Sequence, residues 1–131
     1  MIIDYNNVEK LLIAFLKNET NRIGLKKAII GLSGGIDSAV TAYLSAKSLG
    51  PENVLCIMMP YKTSSKRSLI DAQKVVNELG VRSKIVEISK PVDSYLETLD
   101  GDVSNLRKGN VMARMRMIVL YDESASEKGL T

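Results

Sequence analysis

Apolar positions recur along this chain in two alternating rhythms. Val8, Leu11, Leu12 and Phe15 fall at i, i+3, i+4 and i+7, the spacing of one helix face. They predict a first helix from about Asn7 to Asn21, with Asn6 as its cap and Gly24 as its breaker. Three short apolar runs then predict strands: Lys27 to Leu32, Val54 to Met59 (closed by Pro60) and Lys84 to Ile88. Helical stretches separate them. One starts near Asp37 or Ser38 and stops before Gly50-Pro51, a stop signal in both residue type and place. The next is capped by Ser64 or Ser65, carries the stripe Leu69, Ala72, Val76 and Leu79, and ends at Gly80. A short helix follows Pro91, in the favoured first-turn position. Asp100 to Lys108 is polar and reads as loop. Asn110 opens a last helix, Val111 to about Glu123 or beyond.

Strands and helices therefore alternate. The fold class this implies is α/β, a parallel sheet with helices on both faces. Continuous apolar strands are expected when both faces of a sheet are buried. No repeat, linker or low-complexity segment divides residues 1–131, which read as a single domain with a genuine core.

Composition narrows the function classes. The chain is 45% hydrophobic and 25% charged, ordinary for a globular protein. No apolar run reaches the length of a membrane span, and the first residues lack a signal core. A cytoplasmic setting is the expectation. Cys56 is the sole cysteine. It sits within an apolar run and reads as a buried thiol in a reducing compartment. There is no histidine, which excludes His-based triads and zinc sites with His ligands. The net charge of +3 suits a small anionic ligand. It does not argue for nucleic acid, because no basic stripe accompanies the few aromatics. Lys26-Lys27 and Arg107-Lys108 read as solvated loop charges.

The chemistry concentrates in Gly31-Leu32-Ser33-Gly34-Gly35-Ile36-Asp37-Ser38, directly after Ala28-Ile29-Ile30. Adjacent glycines sit where a buried strand turns into a helix. Such a bend can wrap N–H groups around an anion, aided by the positive end of the helix. The segment has no lysine, so it is not a Walker loop, and it is not G-x-G-x-x-G. A simple alternative is a glycine turn with Asp37 or Ser38 as N-cap. The pattern S-G-G-x-D-S resembles the PP-loop of the ATP pyrophosphatase superfamily. Five fixed residues at ~7% each would arise by chance about once in several thousand chains.

A closer resemblance follows from longer stretches. Gly31 to Val40, Leu49-Gly50-Pro51-Glu52-Asn53-Val54-Leu55 leading to Met59-Pro60, Asp71-Ala72, and Gly109-Asn110-Val111-Met112-Ala113-Arg114-Met115-Arg116-Met117 look like the ammonia-dependent NAD synthetases. G-N-x-x-A-R-x-R-M is the discriminating segment. The resemblance implies ATP and Mg²⁺ as cofactors and deamido-NAD and ammonia as substrates. The deamido-NAD carboxylate attacks the α-phosphate of ATP, pyrophosphate leaves, and ammonia displaces AMP from the acyl-adenylate. Gly31, Leu32, Ser33, Gly34, Gly35, Ile36, Asp37 and Ser38 would bind ATP. Asp37 would hold Mg²⁺, and Arg114 would meet deamido-NAD. The last helix is apolar almost all round, so it is expected to be buried. A buried Arg114 needs an anion, whether substrate or a protein carboxylate. Arg116 points to nearly the opposite side. Met112, Met115 and Met117 read as core or interface packing. A homodimer is implied, with the first and last helices as candidate surfaces.

The resemblance covers only the N-terminal part of the family. The family's later strands, its G-T-x-N-K-[ST]-E-like segment and a second acidic metal ligand would lie beyond residue 131. In the family sheet order 3-2-1-4-5, only strands one to three are present, and strand one becomes an edge. The isolated chain is accordingly expected to turn over little or no substrate. Alternatives are another PP-loop adenylating enzyme (tRNA-thiolating, GMP synthetase-like or asparagine synthetase-like) or a non-catalytic nucleotide-binding or oligomerising module. Thiolation usually needs further cysteines, and glutamine-fed members need a glutaminase domain.

Overall fold

Side chains on a strand alternate between faces, and the strands here are apolar on both. In a computed structural model, which describes residues 4–22 and 26–127, that alternation builds two cores. The elements are α1 (Tyr5–Arg22), β1 (Ala28–Gly31), α2 (Ile36–Leu49), β2 (Val54–Met58), α3 (Lys66–Leu79), β3 (Arg82–Ile85), α4 (Ser89–Leu96) and α5 (Asn105–Glu127). The strands pair in parallel in the order β1-β2-β3. On one face, Ile30, Leu32, Val54, Cys56 and Met58 pack with Ala42 and Ala46 of α2 and Ala72 and Val76 of α3. On the other, Ile29, Leu55, Ile57 and Met59 pack with Val92 of α4 and with Val111, Met112, Met115, Val119 and Leu120 of α5. Each fully buried aliphatic side chain contributes about 1.5–3 kcal/mol. The three-strand α/β architecture with helices on both faces is as expected.

Helix ends follow local chemistry. The Ser65 hydroxyl caps α3 by accepting from the N–H groups of Arg67 and Ser68, and Gly80 closes it at φ 67°. Gly50 ends α2 ahead of a 3₁₀ turn at Pro51–Asn53. Four expectations need correction. The Asn7 N–H bonds the carboxylate of Asp4 at 3.2 Å, so Asp4, not Asn6, serves the start of α1, because a carboxylate one turn back reaches the free amides. Gly24 lies outside the described residues. Residues 105–108 are helix rather than loop: the Ser104 hydroxyl accepts from the Arg107 N–H at 3.2 Å and starts α5 early. The third strand is Arg82–Ile85 and is exposed along its whole length, not a doubly buried run. It is the outer edge of the sheet, where short polar strands are the rule.

The fourth correction concerns α5, which has no buried residue. Val111, Met112, Met115, Val119 and Leu120 are half-buried on the sheet side. Met117, Ile118 and Tyr121 are exposed. The helix has a layer to cover on one side only, among the described residues. Its C-terminal end is held by ion pairs: Glu127 meets Arg82 at 2.9 Å and Lys27 at 3.4 Å, and Glu123 meets Lys84 at 2.6 Å. β1, as expected, pairs on one side only among the described residues. The apolar stripe of α1 stays exposed, with Leu11 70% and Phe15 60% accessible.

Candidate functional site

Parallel α/β sheets present ligand sites at the carboxyl ends of their strands. Here a cleft of about 410 Å³ opens at the ends of β1 and β2. Its floor is Gly31, Leu32, Met58 and Met59, and its walls include Ser33, Ser64, Ser65, Ser68 and Arg116.

The glycine bend forms one side of the cleft. The Leu32 N–H still follows the strand, donating to the Ile57 carbonyl at 2.9 Å. The chain then turns through Gly34 at φ 86°, a conformation in which a side chain is strained. Gly34 also abuts α3. A Cβ there would lie 2.9 Å from Ser68 Cα and closer still to its carbonyl oxygen. Gly35 is different. It is the N-cap of α2 with φ −83° and ψ 163°, and a Cβ on it would meet only Ser33 Oγ, at 3.4 Å.

The start of α2 is left uncapped. No side chain bonds it from Gly35, and neither Asp37 nor Ser38 acts as N-cap. Ser33 and Ser38 form a small internal network. The Ser33 N–H donates to Ser38 Oγ at 3.2 Å, the Gly35 N–H donates to Ser33 Oγ at 3.3 Å, and Ser38 Oγ donates to the Gly35 carbonyl at 3.2 Å. The N–H groups of Gly34, Ile36, Asp37 and Ser38 have no hydrogen-bond partner among the described residues. Unpaired amides at a helix N-terminus are a ready anion site. The Asp37 carboxylate, in the first turn of α2, is exposed. Among the described residues it makes no ion pair, and no cluster of three or more acidic, Cys or His residues exists. One free carboxylate beside a phosphate-type bend suits Mg²⁺, which takes one or two carboxylates plus substrate phosphates.

The arginines separate. Arg116 is half-buried, lines the cleft, and donates from Nε to the Met59 carbonyl at 3.1 Å. Arg114 is exposed, and its guanidinium contacts Met117 Sδ at 3.7 Å. Arg114 is therefore not a buried cation in need of an anion, because among the described residues α5 is covered on one side only. The strand-end rule could have pointed to Met58, Met59 and the loop after them. Nothing local in the sequence marks the reach of Arg116 to Met59.

Fold and site together define a parallel α/β protein with an uncapped glycine bend at the end of β1. The chain belongs to the NAD synthase family, whose model matches residues 8–131. It is 51% identical over 125 residues to the NH(3)-dependent NAD(+) synthetase of Chlorobaculum parvum, covering 95% of this chain and 45% of that protein. The chain thus spans about half the length of the curated relatives it matches. Among solved structures, the NH3-dependent NAD synthetase of Campylobacter jejuni superposes with TM-score 0.90 at 32% identity, over 97% of this chain and 55% of that one. The glutamine-dependent NAD+ synthetase of Acinetobacter baumannii, solved with ADP, gives 0.92 at 31% identity, over 98% and 25%.

Proposed function

We propose that this chain supplies the ATP-gripping part of an ammonia-dependent NAD synthetase. The observation that carries this is the set of unpaired N–H groups of Gly34, Ile36, Asp37 and Ser38 at the uncapped start of α2. In this reading they and the hydroxyls of Ser33 and Ser38 hold the phosphates of ATP. The rest of the nucleotide extends into the cleft between Leu32, Met59 and α3. The names of the relatives and the ADP bound by the Acinetobacter baumannii protein support it.

The reaction is the activation of the deamido-NAD carboxylate as an acyl-adenylate, with loss of pyrophosphate, followed by attack of ammonia and loss of AMP. The contribution of these residues is positioning and charge neutralisation. The amides of the bend face the phosphates, and Arg116 adds a fixed positive charge at the cleft wall. Asp37 is the residue that would hold Mg²⁺, which neutralises phosphate charge when bound. Arg114, on the outer side of α5, is the proposed contact for deamido-NAD. The exposed faces of α1 and of α5 around Ile118 are the surfaces offered for a homodimer. A cytoplasmic setting accords with the buried free thiol of Cys56. No helix among the described residues is long and apolar enough to cross a membrane.

The test replaces the matching half of the Chlorobaculum parvum protein with residues 8–131. NAD formation from deamido-NAD, ATP and ammonia is then followed. Product formation that requires all three substrates is expected. A folded chimera that binds Mg·ATP but releases no pyrophosphate would contradict the proposal.

A further inference from the structure

The loop between β2 and α3, residues 59–65, forms the rim of the cleft. It must cross from one face of the sheet to the other. Tyr61 belongs to the core shared with α4 and α5, whereas α3 lies on the opposite face. Ser64 and Ser65, a few residues on, line the cleft.

The crossing is tied to α4. Asp93 places one carboxylate oxygen 2.5 Å from the Tyr61 hydroxyl and the other 2.8 Å from Lys62 Nζ. The Lys62 N–H donates to the buried Ser89 hydroxyl at 2.8 Å, and the Ile88 N–H donates to the Pro60 carbonyl at 3.0 Å. The tie then passes inward. The Tyr61 N–H donates to Ser64 Oγ at 2.9 Å, and the Ser64 N–H donates back to the Tyr61 carbonyl at 2.7 Å. Ser65 follows and caps α3. A buried phenol without an acceptor is costly, so the carboxylate fixes Tyr61, and Tyr61 fixes Ser64.

Resting on the nucleotide reading above, we propose that Asp93 is a positioning residue for nucleotide binding: through Tyr61 and Lys62 it sets the place of Ser64 and Ser65 at the rim of the cleft. It lies on α4, away from the glycine bend, and acts only through the loop. Hydrogen bonding to Asp93 and the charge beside it accord with this. They hold the Lys62 ammonium and the Tyr61 phenol above their usual ranges, while hydrogen bonds from Lys62 and Tyr61 hold the Asp93 carboxyl below its own.

The consequence is a split between the two ends of the ligand. The rim faces the nucleoside, while the glycine bend faces the phosphates. Asp93→Ala should weaken ATP binding about tenfold, because an untied loop must be ordered on binding. Inorganic tripolyphosphate, which needs only the bend, should bind within about twofold of wild type. Asp93→Asn keeps an acceptor for the Tyr61 hydroxyl but loses the Lys62 ion pair, and should restore part of the ATP affinity. Tyr61→Phe, which keeps the buried ring, gives a milder version should Asp93→Ala fold poorly. Calorimetry with both ligands on the 131-residue chain reads the split. Amide exchange at residues 61–65 without ligand reads the tie itself. Equal loss of both ligands, unchanged ATP affinity in Asp93→Ala, or unchanged exchange in the loop would each overturn the proposal. A wild-type chain that binds neither ligand, yet shows faster loop exchange on Asp93→Ala, would overturn the nucleotide reading while leaving the tie standing.

Discussion

The two adjacent glycines of the bend are expected to fail for different reasons when replaced by alanine. At Gly34 the backbone has φ 86°, which costs a residue with a Cβ about 1–2 kcal/mol. The added carbon would also sit 2.9 Å from Ser68 Cα. That neighbour is backbone and cannot swing away, so α3 or the bend must shift, at about 1–3 kcal/mol. Gly34→Ala should therefore destabilise the fold by roughly 2–5 kcal/mol, lowering Tm by about 10 °C or more for a chain of this size. At Gly35 the backbone is extended, with φ −83°, and the nearest atom to a new Cβ is Ser33 Oγ at 3.4 Å. Gly35→Ala should leave Tm within a few degrees, or raise it by about 1–3 °C through lost freedom in the unfolded chain. It should nevertheless weaken Mg·ATP binding by about tenfold or more, because on the proposed reading the Cβ would stand where the phosphates approach the amides. Thermal unfolding followed by circular dichroism, with calorimetry on the same samples, separates the two effects. The reasoning is refuted if Gly34→Ala melts like wild type, or if Gly35→Ala keeps full nucleotide affinity.

Three further outcomes can be checked. Burial pushes the Cys56 thiol up to about 11, so only about one molecule in a thousand carries a thiolate at pH 8. Ellman's reagent should label the native chain far more slowly than the chain in urea, and equal rates would contradict the buried placement. Glu127 is held below the ordinary carboxylate range, chiefly by its hydrogen bond from Arg82 and then by Arg82 and Lys27 charge. A depressed folded pKa gives stability that is present above the unfolded value of about 4.3 and lost as pH falls through the lower folded value. Urea midpoints should thus fall less between pH 5 and pH 3 in Glu127→Gln than in wild type; equal falls would count against the ion pair. Arg116 lines the cleft and Arg114 does not, so Arg116→Met should weaken ATP binding about tenfold while Arg114→Met leaves it within about twofold. The reverse ranking in calorimetry would exchange their roles.

β1 and β2 were legible because their signal is local, whereas the exposed β3 was displaced from the apolar run that predicts it. Ile29 and Ile30, or Leu55 and Cys56, alternate between faces, and each run is long enough to be read. The stops at Gly50 and Gly80 were legible for the same reason, since each reports its own backbone, and the α3 cap was narrowed to Ser64 or Ser65. The bend was visible in its glycines, but which glycine serves the fold was not. The approach of Gly34 to Ser68 joins residues far apart in the chain. The apolar pattern of α5 overstates its burial, because periodicity reports how apolar a helix is and not how many layers surround it. Arg116 and Asp93 were out of reach on similar grounds. Their partners, the Met59 carbonyl and the Tyr61 hydroxyl, are brought to them only by the folded sheet. Asn6 gave way to Asp4 within one turn, a displacement that residue preferences alone do not resolve.

The central claim is that the free amides at the start of α2 receive the phosphates of ATP. Titrating Mg·ATP into ¹⁵N-labelled chain and following each backbone amide tests it most directly. The largest shifts are expected at Gly34, Ile36, Asp37 and Ser38, with smaller ones along the cleft at Met59 and Ser65. Saturable binding that leaves those amides unmoved, or shifts confined to the exposed faces of α1 and α5, would contradict it.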